Sequence, residues 1–147
     1  MLDLATGGNP AFRVSRIEVD RGGVSYTVDT LTTLAAEDPR RELFFLLGAD
    51  SLLDLPNWRE PERILELASP VVVSRPGVPE FDFNALAGLT SAERLSEFRR
   101  NQVEMSQVGL SSSEIRHRVA AGRSIRYRTP RAVETYIQTH GLYRKPA

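Results

Sequence analysis

Leu43-Phe-Phe-Leu-Leu-Gly-Ala-Asp50 is the stretch that decides the fold. Five consecutive apolar residues end at a glycine, and an aspartate follows. A run this short, without polar alternation, suits a strand buried on both faces of a parallel sheet. Pro70-Val-Val-Val73 repeats the pattern and ends at Arg75-Pro-Gly77. Glu60 to Ala68, between them, reads as a helix. A helix over Ala92 to Arg100 and a strand near Gln102 to Val108 continue the alternation. Strands alternating with helices predict an α/β fold with a doubly wound parallel sheet, in one domain over residues 1–147.

The flanking segments fit that plan. Met1 to Thr6 reads as a short helix end, closed by Gly7-Gly-Asn-Pro10. Phe12, Val14, Ile17 and Val19 alternate with charged residues, which predicts a strand over Phe12 to Val19. Val28, Leu31, Leu34 and Ala35 have helical spacing, with Ser25 or Thr27 as the N-cap and Asp38-Pro39 as the stop. Gly77 to Leu89 is interrupted by proline and glycine and reads as a surface excursion. Ser111 with Glu114 fits a capping box, so a helix over Ser111 to Ala121 is well signalled. Pro130 to His140 is the last helix, ended by Gly141.

Composition excludes several classes. Of 147 residues, 41% are apolar, ordinary for a globular protein, and no apolar run is long enough to span a membrane. No basic region precedes an apolar stretch at the N-terminus, so no secretion signal is evident. There is no cysteine, which removes disulfides, thiolate metal sites and a cysteine nucleophile. A cytoplasmic location is the expectation. The 19 basic and 19 acidic residues cancel, which argues against a strongly basic nucleic-acid surface. Lys145 is the one lysine, so no Walker-type phosphate loop exists.

In such sheets ligands bind beyond the carboxyl ends of the strands. Gly48 there allows close backbone approach, and Asp50 at the same edge can accept ribose hydroxyl bonds. A plain turn with an N-cap aspartate is the simpler reading of those two residues alone. Arg75 leaves the sheet at its carboxyl edge, where a crevice site and a solvated charge are equally supported. Adjacent hydroxyls at Ser111 and Ser112, with Arg116 one turn on, open a helix whose free N–H groups suit phosphate. A capped helix with an exposed arginine is the bland alternative. Trp58 is a stacking face or a packing residue. His117 and His140 have no carboxylate or second histidine at a metal-ligand spacing, and neither is assigned a role.

Six motifs occur in order: Gly23-Val-Ser-Tyr-Thr-Val-Asp-Thr-Leu31, Phe44-Phe-Leu-Leu-Gly-Ala-Asp-Ser-Leu52, Leu55-Pro-Asn-Trp-Arg59, Val71-Val-Val-Ser-Arg-Pro-Gly77, Leu110-Ser-Ser-Ser-Glu-Ile-Arg116 and Gly141-Leu-Tyr143. The ordered set resembles the bacterial nicotinate-nucleotide adenylyltransferases, over nearly the whole chain. The resemblance implies a Rossmann-like sheet of the nucleotidylyltransferase type. It implies transfer of the adenylyl group of ATP to nicotinate mononucleotide, with Mg²⁺ on the ATP phosphates. Its ATP-binding residues would be Gly48, Asp50, Arg75, Ser111, Ser112 and Arg116. Tyr26, Thr27, Trp58 and Arg59 would enclose the nicotinate mononucleotide.

The family opens with a strand and a turn of the form G-x-F-x-P-x-H-x-G-H, whose histidines bind ATP phosphates. No such sequence occurs here. The expectation is therefore a chain without the first βα unit, with Met1 an internal methionine, no catalytic residue retained and little activity alone. A catalytically dead mononucleotide-binding protein is an alternative. So is an adenylyltransferase for nicotinamide mononucleotide or phosphopantetheine. No nucleic-acid or membrane partner is expected, and exposed sheet edges would favour homo-oligomers.

Overall fold

Two strands pair in parallel at the centre of the computed structural model, which describes residues 1–74, 81–106 and 108–144. Strand β1, Phe44–Gly48, runs beside β2, Ser69–Ser74, with Phe44 opposite Ser69 and Gly48 opposite Val73. Strand β3, Val103–Glu104, pairs in parallel with the end of β2 and gives the order β1-β2-β3. The predicted strand near Gln102 to Val108 is thus present but only two residues long.

Contacts divide the chain into two compact units. Ile17–Gln107 forms a sheet unit, and Met1–Arg16 with Val108–Ala147 forms a terminal unit. Among the described residues no helix is long and apolar enough to cross a membrane.

The sheet unit contains helices α2, Ile17–Arg21; α3, Thr27–Glu37; α4, Ala49–Asp54; α5, Pro61–Leu67; and α6, Ala92–Arg100. The three predicted helices over these residues are present within a residue or two of their expected ends. Helix α5 starts at a proline, whose missing N–H costs nothing at a first turn. Ser91 caps α6 by accepting from the Arg94 backbone N–H, and Arg99 and Arg100 suit its last turn. Leu52, Leu55, Ile64, Leu65 and Phe98 are at most 1% exposed in one core. Each contributes about 1.5–3 kcal/mol by the area it removes from water.

Three expectations need correction. Phe12 to Val19 is not a strand: 12–16 is irregular, and α2 takes Ile17–Arg21. A strand needs a partner for its backbone groups, and none of the three strands pairs with this segment. Instead Thr30 Oγ1 donates to Glu18 Oε1 at 2.8 Å, which favours the local helix beside α3. Second, α3 begins at Thr27 with Tyr26 as its N-cap, and no side chain caps it. Third, part of the supposed surface excursion is core. Phe83 and Leu86, on a 3₁₀ turn over Phe83–Leu86, are buried, and Phe81 meets Phe83 edge-on at 5.0 Å. Asp82 caps that turn by accepting from the Asn84 N–H at 2.9 Å.

In the terminal unit, α1 is Leu2–Thr6, α7 is Ser112–Ala120 and α8 is Arg131–Thr139. Ile125, Val133 and Ile137 form its small core with Ile115, Val119 and Leu142. Both long helices end in the same way. Gly122 takes φ +68° and Gly141 φ +62°, a left-handed conformation that glycine adopts without strain. The next residue then bonds back: Arg123 N–H to Arg118 O at 2.8 Å, and Leu142 N–H to Ile137 O at 3.0 Å. These are Schellman closures, which satisfy the last helical carbonyls.

A polar cluster ties α6 to β2. Ser69, 2% exposed, donates to Glu97 Oε1 at 2.8 Å. Arg94 donates to Glu97 Oε2 at 2.8 Å, to Ser69 Oγ at 3.2 Å and to the Leu65 carbonyl at 2.8 Å. The Ser69 hydroxyl, and after it the Arg94 guanidinium, hold the Glu97 carboxyl below its ordinary value. A lowered folded-state pKa gives stability that is complete above the ordinary value of 4.5 and is lost as pH falls through the folded value. Glu97→Gln should therefore cost about 1 kcal/mol near neutral pH. The difference should vanish in acid. Thermal melts of both proteins across that range test this, and a pH-independent difference would refute it.

Strand β1 lies at the sheet edge. Phe45 is half-buried and Leu47 buried, but Phe44 is 47% and Leu46 65% exposed on the opposite face. An open edge with apolar side chains templates association. The 147-residue chain is expected to associate in solution, and Leu46→Lys to reduce that association while changing stability by no more than about 0.5 kcal/mol. Sedimentation velocity decides; a monomeric parent chain would contradict it.

Candidate functional site

Of the expected site residues of the sheet unit, Gly48 and Asp50 fall at the carboxyl end of a strand. Gly48 ends β1 and is the N-cap of α4, with φ −78° and ψ 160°. Any residue adopts that backbone, so conformation does not demand glycine. A Cβ built there meets no atom within 4 Å. What glycine supplies at Gly48 is open space beside the backbone. Asp50 lies in the first turn of α4, exposed, where a carboxylate complements the helix dipole. It has no hydrogen-bond or ion-pair partner among the described residues. Asp50 is thus not the N-cap of the simpler reading. Arg75 lies outside the described residues.

Tyr26 and Arg59 are 33 positions apart in sequence yet in contact. The Arg59 guanidinium sits 4.7 Å from the centre of the Tyr26 ring, an arrangement worth about 0.5–1 kcal/mol when exposed. Tyr26 is the N-cap of α3, and Thr27 is its first residue. With no side-chain cap, the Thr27 and Val28 N–H groups at the start of α3 lack intrahelical partners, while the Asp29 N–H donates to the Tyr26 carbonyl at 3.1 Å. Arg59 also lies 3.5 Å from Glu60, an exposed pair of little energetic weight.

Trp58 is held from two sides. Its indole N–H donates to Asp54 Oδ2 at 3.2 Å, and its ring meets Phe45 of β1 edge-on at 6.0 Å. It is half-buried at the margin of the core. Asp54 also accepts from Asn57 Nδ2 at 3.1 Å, so one carboxylate fixes the turn that carries Trp58. The roles of Asp54 and Phe45 were not read from the sequence. The i, i+4 spacing of Asp54 and Trp58 is the signal in the sequence that could have indicated the first of them.

The remaining expected residues belong to the terminal unit. Ser111 caps α7: its Oγ accepts from the Glu114 N–H at 3.1 Å. The reciprocal half of the capping box is absent, because the Glu114 carboxylate pairs with Arg128 at 2.9 Å. Ser112 opens the helix, exposed, and Arg116 donates to Ser113 Oγ at 3.3 Å. Hydroxyls, first-turn N–H groups and a guanidinium thus share one helix start, a chemistry suited to phosphate oxygens. His140 ends α8, stacked on Tyr136 at 4.0 Å, with Nδ1 3.0 Å from the Tyr136 carbonyl. Among the described residues no group of three or more His, Asp or Glu side chains is placed to hold a metal ion.

The cytidylyltransferase-like family model matches residues 1–118. A probable nicotinate-nucleotide adenylyltransferase of Thermomicrobium roseum is 49% identical over 98% of this chain and 65% of its own length. One from Roseiflexus is 51% identical over 98% of this chain and 70% of its own. The chain belongs to this adenylyltransferase family. It spans about two thirds of the length of these curated relatives. A Plasmodium falciparum nicotinic acid mononucleotide adenylyltransferase, solved with APC, superposes with a TM-score of 0.55 at 19% identity, covering 83% of this chain and 60% of that one. The fold is therefore the Rossmann-like nucleotidyltransferase fold, as its parallel strands and intervening helices predict.

Because Trp58 is the one tryptophan, its fluorescence reports its own surroundings without interference. Asp54→Ala should shift Trp58 emission to the red and cost about 1 kcal/mol. An unchanged emission maximum would show that Asp54 does not position the indole.

Proposed function

We propose that this chain carries the acceptor-binding and part of the ATP-binding surface of an enzyme that joins ATP to nicotinate mononucleotide. The observation that carries the reading is the Tyr26–Arg59 contact at 4.7 Å, beside the uncapped start of α3 and a tethered Trp58. Trp58 and Tyr26 offer aromatic faces to a pyridine ring. Free backbone N–H groups near Thr27, with Arg59, offer donors to its carboxylate. The space beside Gly48 admits the adenosine, with Asp50 accepting from ribose hydroxyls. Ser111, Ser112 and Arg116 take phosphate oxygens in the terminal unit, and Arg75 completes the assignment to ATP. Relatives named for this activity support the choice of acceptor over nicotinamide mononucleotide or phosphopantetheine.

In the proposed reaction a phosphate oxygen of the mononucleotide attacks the α-phosphorus of ATP in line. The new P–O bond forms as the α–β anhydride breaks, and pyrophosphate leaves. No covalent enzyme intermediate is required, so positioning and charge neutralisation supply the rate. The described residues offer no cage for Mg²⁺, so the ion would arrive on the ATP phosphates. The proposed setting is the cytoplasm.

The 147 residues contain no G-x-F-x-P-x-H-x-G-H turn, and losing one group that stabilises transition-state charge costs about 10²–10³ in rate. These residues alone should bind nicotinate mononucleotide, quenching Trp58, and turn over far more slowly than a version fused to the first third of the Thermomicrobium relative. In that fusion Trp58→Ala should raise the Michaelis constant for nicotinate mononucleotide and spare that for ATP. Arg116→Ala should do the reverse. Gly48→Ala should weaken ATP while costing no more than about 1 kcal/mol of stability. Michaelis constants from a pyrophosphate-release assay decide. A Trp58→Ala effect confined to ATP would overturn the division of the pocket.

A further inference from the structure

The balanced composition conceals a sharp division of charge. The terminal unit carries ten basic residues against Asp3, Glu114 and Glu134, a formal +7, and the sheet unit carries nine basic against sixteen acidic residues, a formal −7. Within the terminal unit, Glu114 is taken by Arg128 at 2.9 Å and Glu134 by Arg131 at 2.8 Å. Arg118 donates to the Ser124 carbonyl at 2.9 Å, and Arg126 lies 5.2 Å over the Tyr127 ring. The guanidinium groups of Arg123 and Arg144 have no hydrogen-bond or ion-pair partner among the described residues. The acids of α7 and α8 are already occupied.

Both of these arginines line one cleft of about 510 Å³, formed where α7 ends and α8 passes. Its floor is apolar: Ile125 and Ile137 are 2% and 3% exposed, and Val119 lies beside them. The carboxyl end of a helix normally repels an anion. Here the Schellman bond from Arg123 N–H to Arg118 O, and that from Gly122 N–H to Val119 O at 3.0 Å, occupy carbonyls of the last turn. That weakens the objection. The volume falls in the range of small-molecule sites.

We propose that this cleft binds an organic phosphate monoester. Its apolar body lies against Ile125 and Ile137, and its phosphate is held by Arg123 and Arg144. Two guanidiniums match a dianion, whereas a carboxylate would leave one unbalanced. The +7 field of the unit favours the approach of such a ligand. Ser111, Ser112 and Arg116 do not line the cleft, so this site does not rest on the adenylyl-transfer reading.

Phenyl phosphate is the probe, with the whole 147-residue chain. Calorimetry gives the affinity, and amide NMR shifts at Gly122, Arg123 and Ile125 locate the site. Arg123→Gln and Arg144→Gln should each weaken binding by about tenfold or more, with melting temperature unchanged. Arg116→Ala should leave the affinity unchanged. Benzyl alcohol, which lacks the anion, and inorganic phosphate, which lacks the apolar body, should each bind at least about tenfold more weakly than phenyl phosphate. Absence of saturable shifts at the three amides overturns the proposal. So does an affinity unchanged from that of the parent chain in both glutamine variants, or loss of binding in Arg116→Ala.

Discussion

The parallel pairing of β1 with β2 is the constraint on which the sheet unit depends. Its register sets Gly48 opposite Val73, and β3 continues the same level with Glu104 opposite Ser74. All three strands therefore end together, and whatever leaves them leaves from one edge. Gly48 and Asp50 occupy that edge because β1 ends there, not because of their own preferences. Phe45, in the same strand, braces Trp58 from the side. A slip of one residue in this pairing would turn Phe45 and Leu47 away from the core and release the tryptophan.

The sheet is held on its other side by polar contacts. Ser69 at the start of β2 is buried, and its hydroxyl has no water to meet. Glu97 and Arg94 of α6 satisfy it, and Arg94 also reaches the Leu65 carbonyl near the end of α5. One arginine thus joins α5, β2 and α6. Removing either charged partner leaves a buried polar group short of a bond, which is costlier than never having built the cluster. The cluster fixes where α6 sits over β2. No equivalent covers Phe44 and Leu46 on β1 among the described residues.

What was legible in the sequence follows from how local each signal is. Leu43 to Leu47 and Pro70 to Val73 announce strands because each is a short unbroken apolar run, but burial on both faces holds for β2 and not for β1, where Phe44 and Leu46 are exposed. Ser111 and Gly141 announce helix ends because their effects reach only three or four residues. Phe12 to Val19 misleads for the opposite reason: alternation suits a strand only if a neighbour supplies the ladder, and here Glu18 finds Thr30 instead. Phe83 and Leu86 were hidden by the prolines and glycines around them, which mark turns but do not say which way a turn faces. The places of Gly48 and Asp50 at the end of β1 were readable from the apolar run before them, whereas Trp58 was singled out mainly by the resemblance. The Tyr26–Arg59 contact was not readable, because no periodicity links residues so far apart. The resemblance implies one pocket for Tyr26 and Arg59; the contact of guanidinium with ring is set only by the fold.

Charge shows the same limit of a whole-chain sum. A net of zero describes neither unit, since one carries +7 and the other −7. The consequence for recognition is physical. In the acidic sheet unit the field opposes an anion, so the nucleotide binding proposed there would have to rest on directional contacts: ring stacking, helix-start N–H groups and the guanidinium of Arg59. In the basic terminal unit charge itself favours an anion, so in the role proposed for them Ser111, Ser112 and Arg116 would need only to orient a phosphate that the field already draws in.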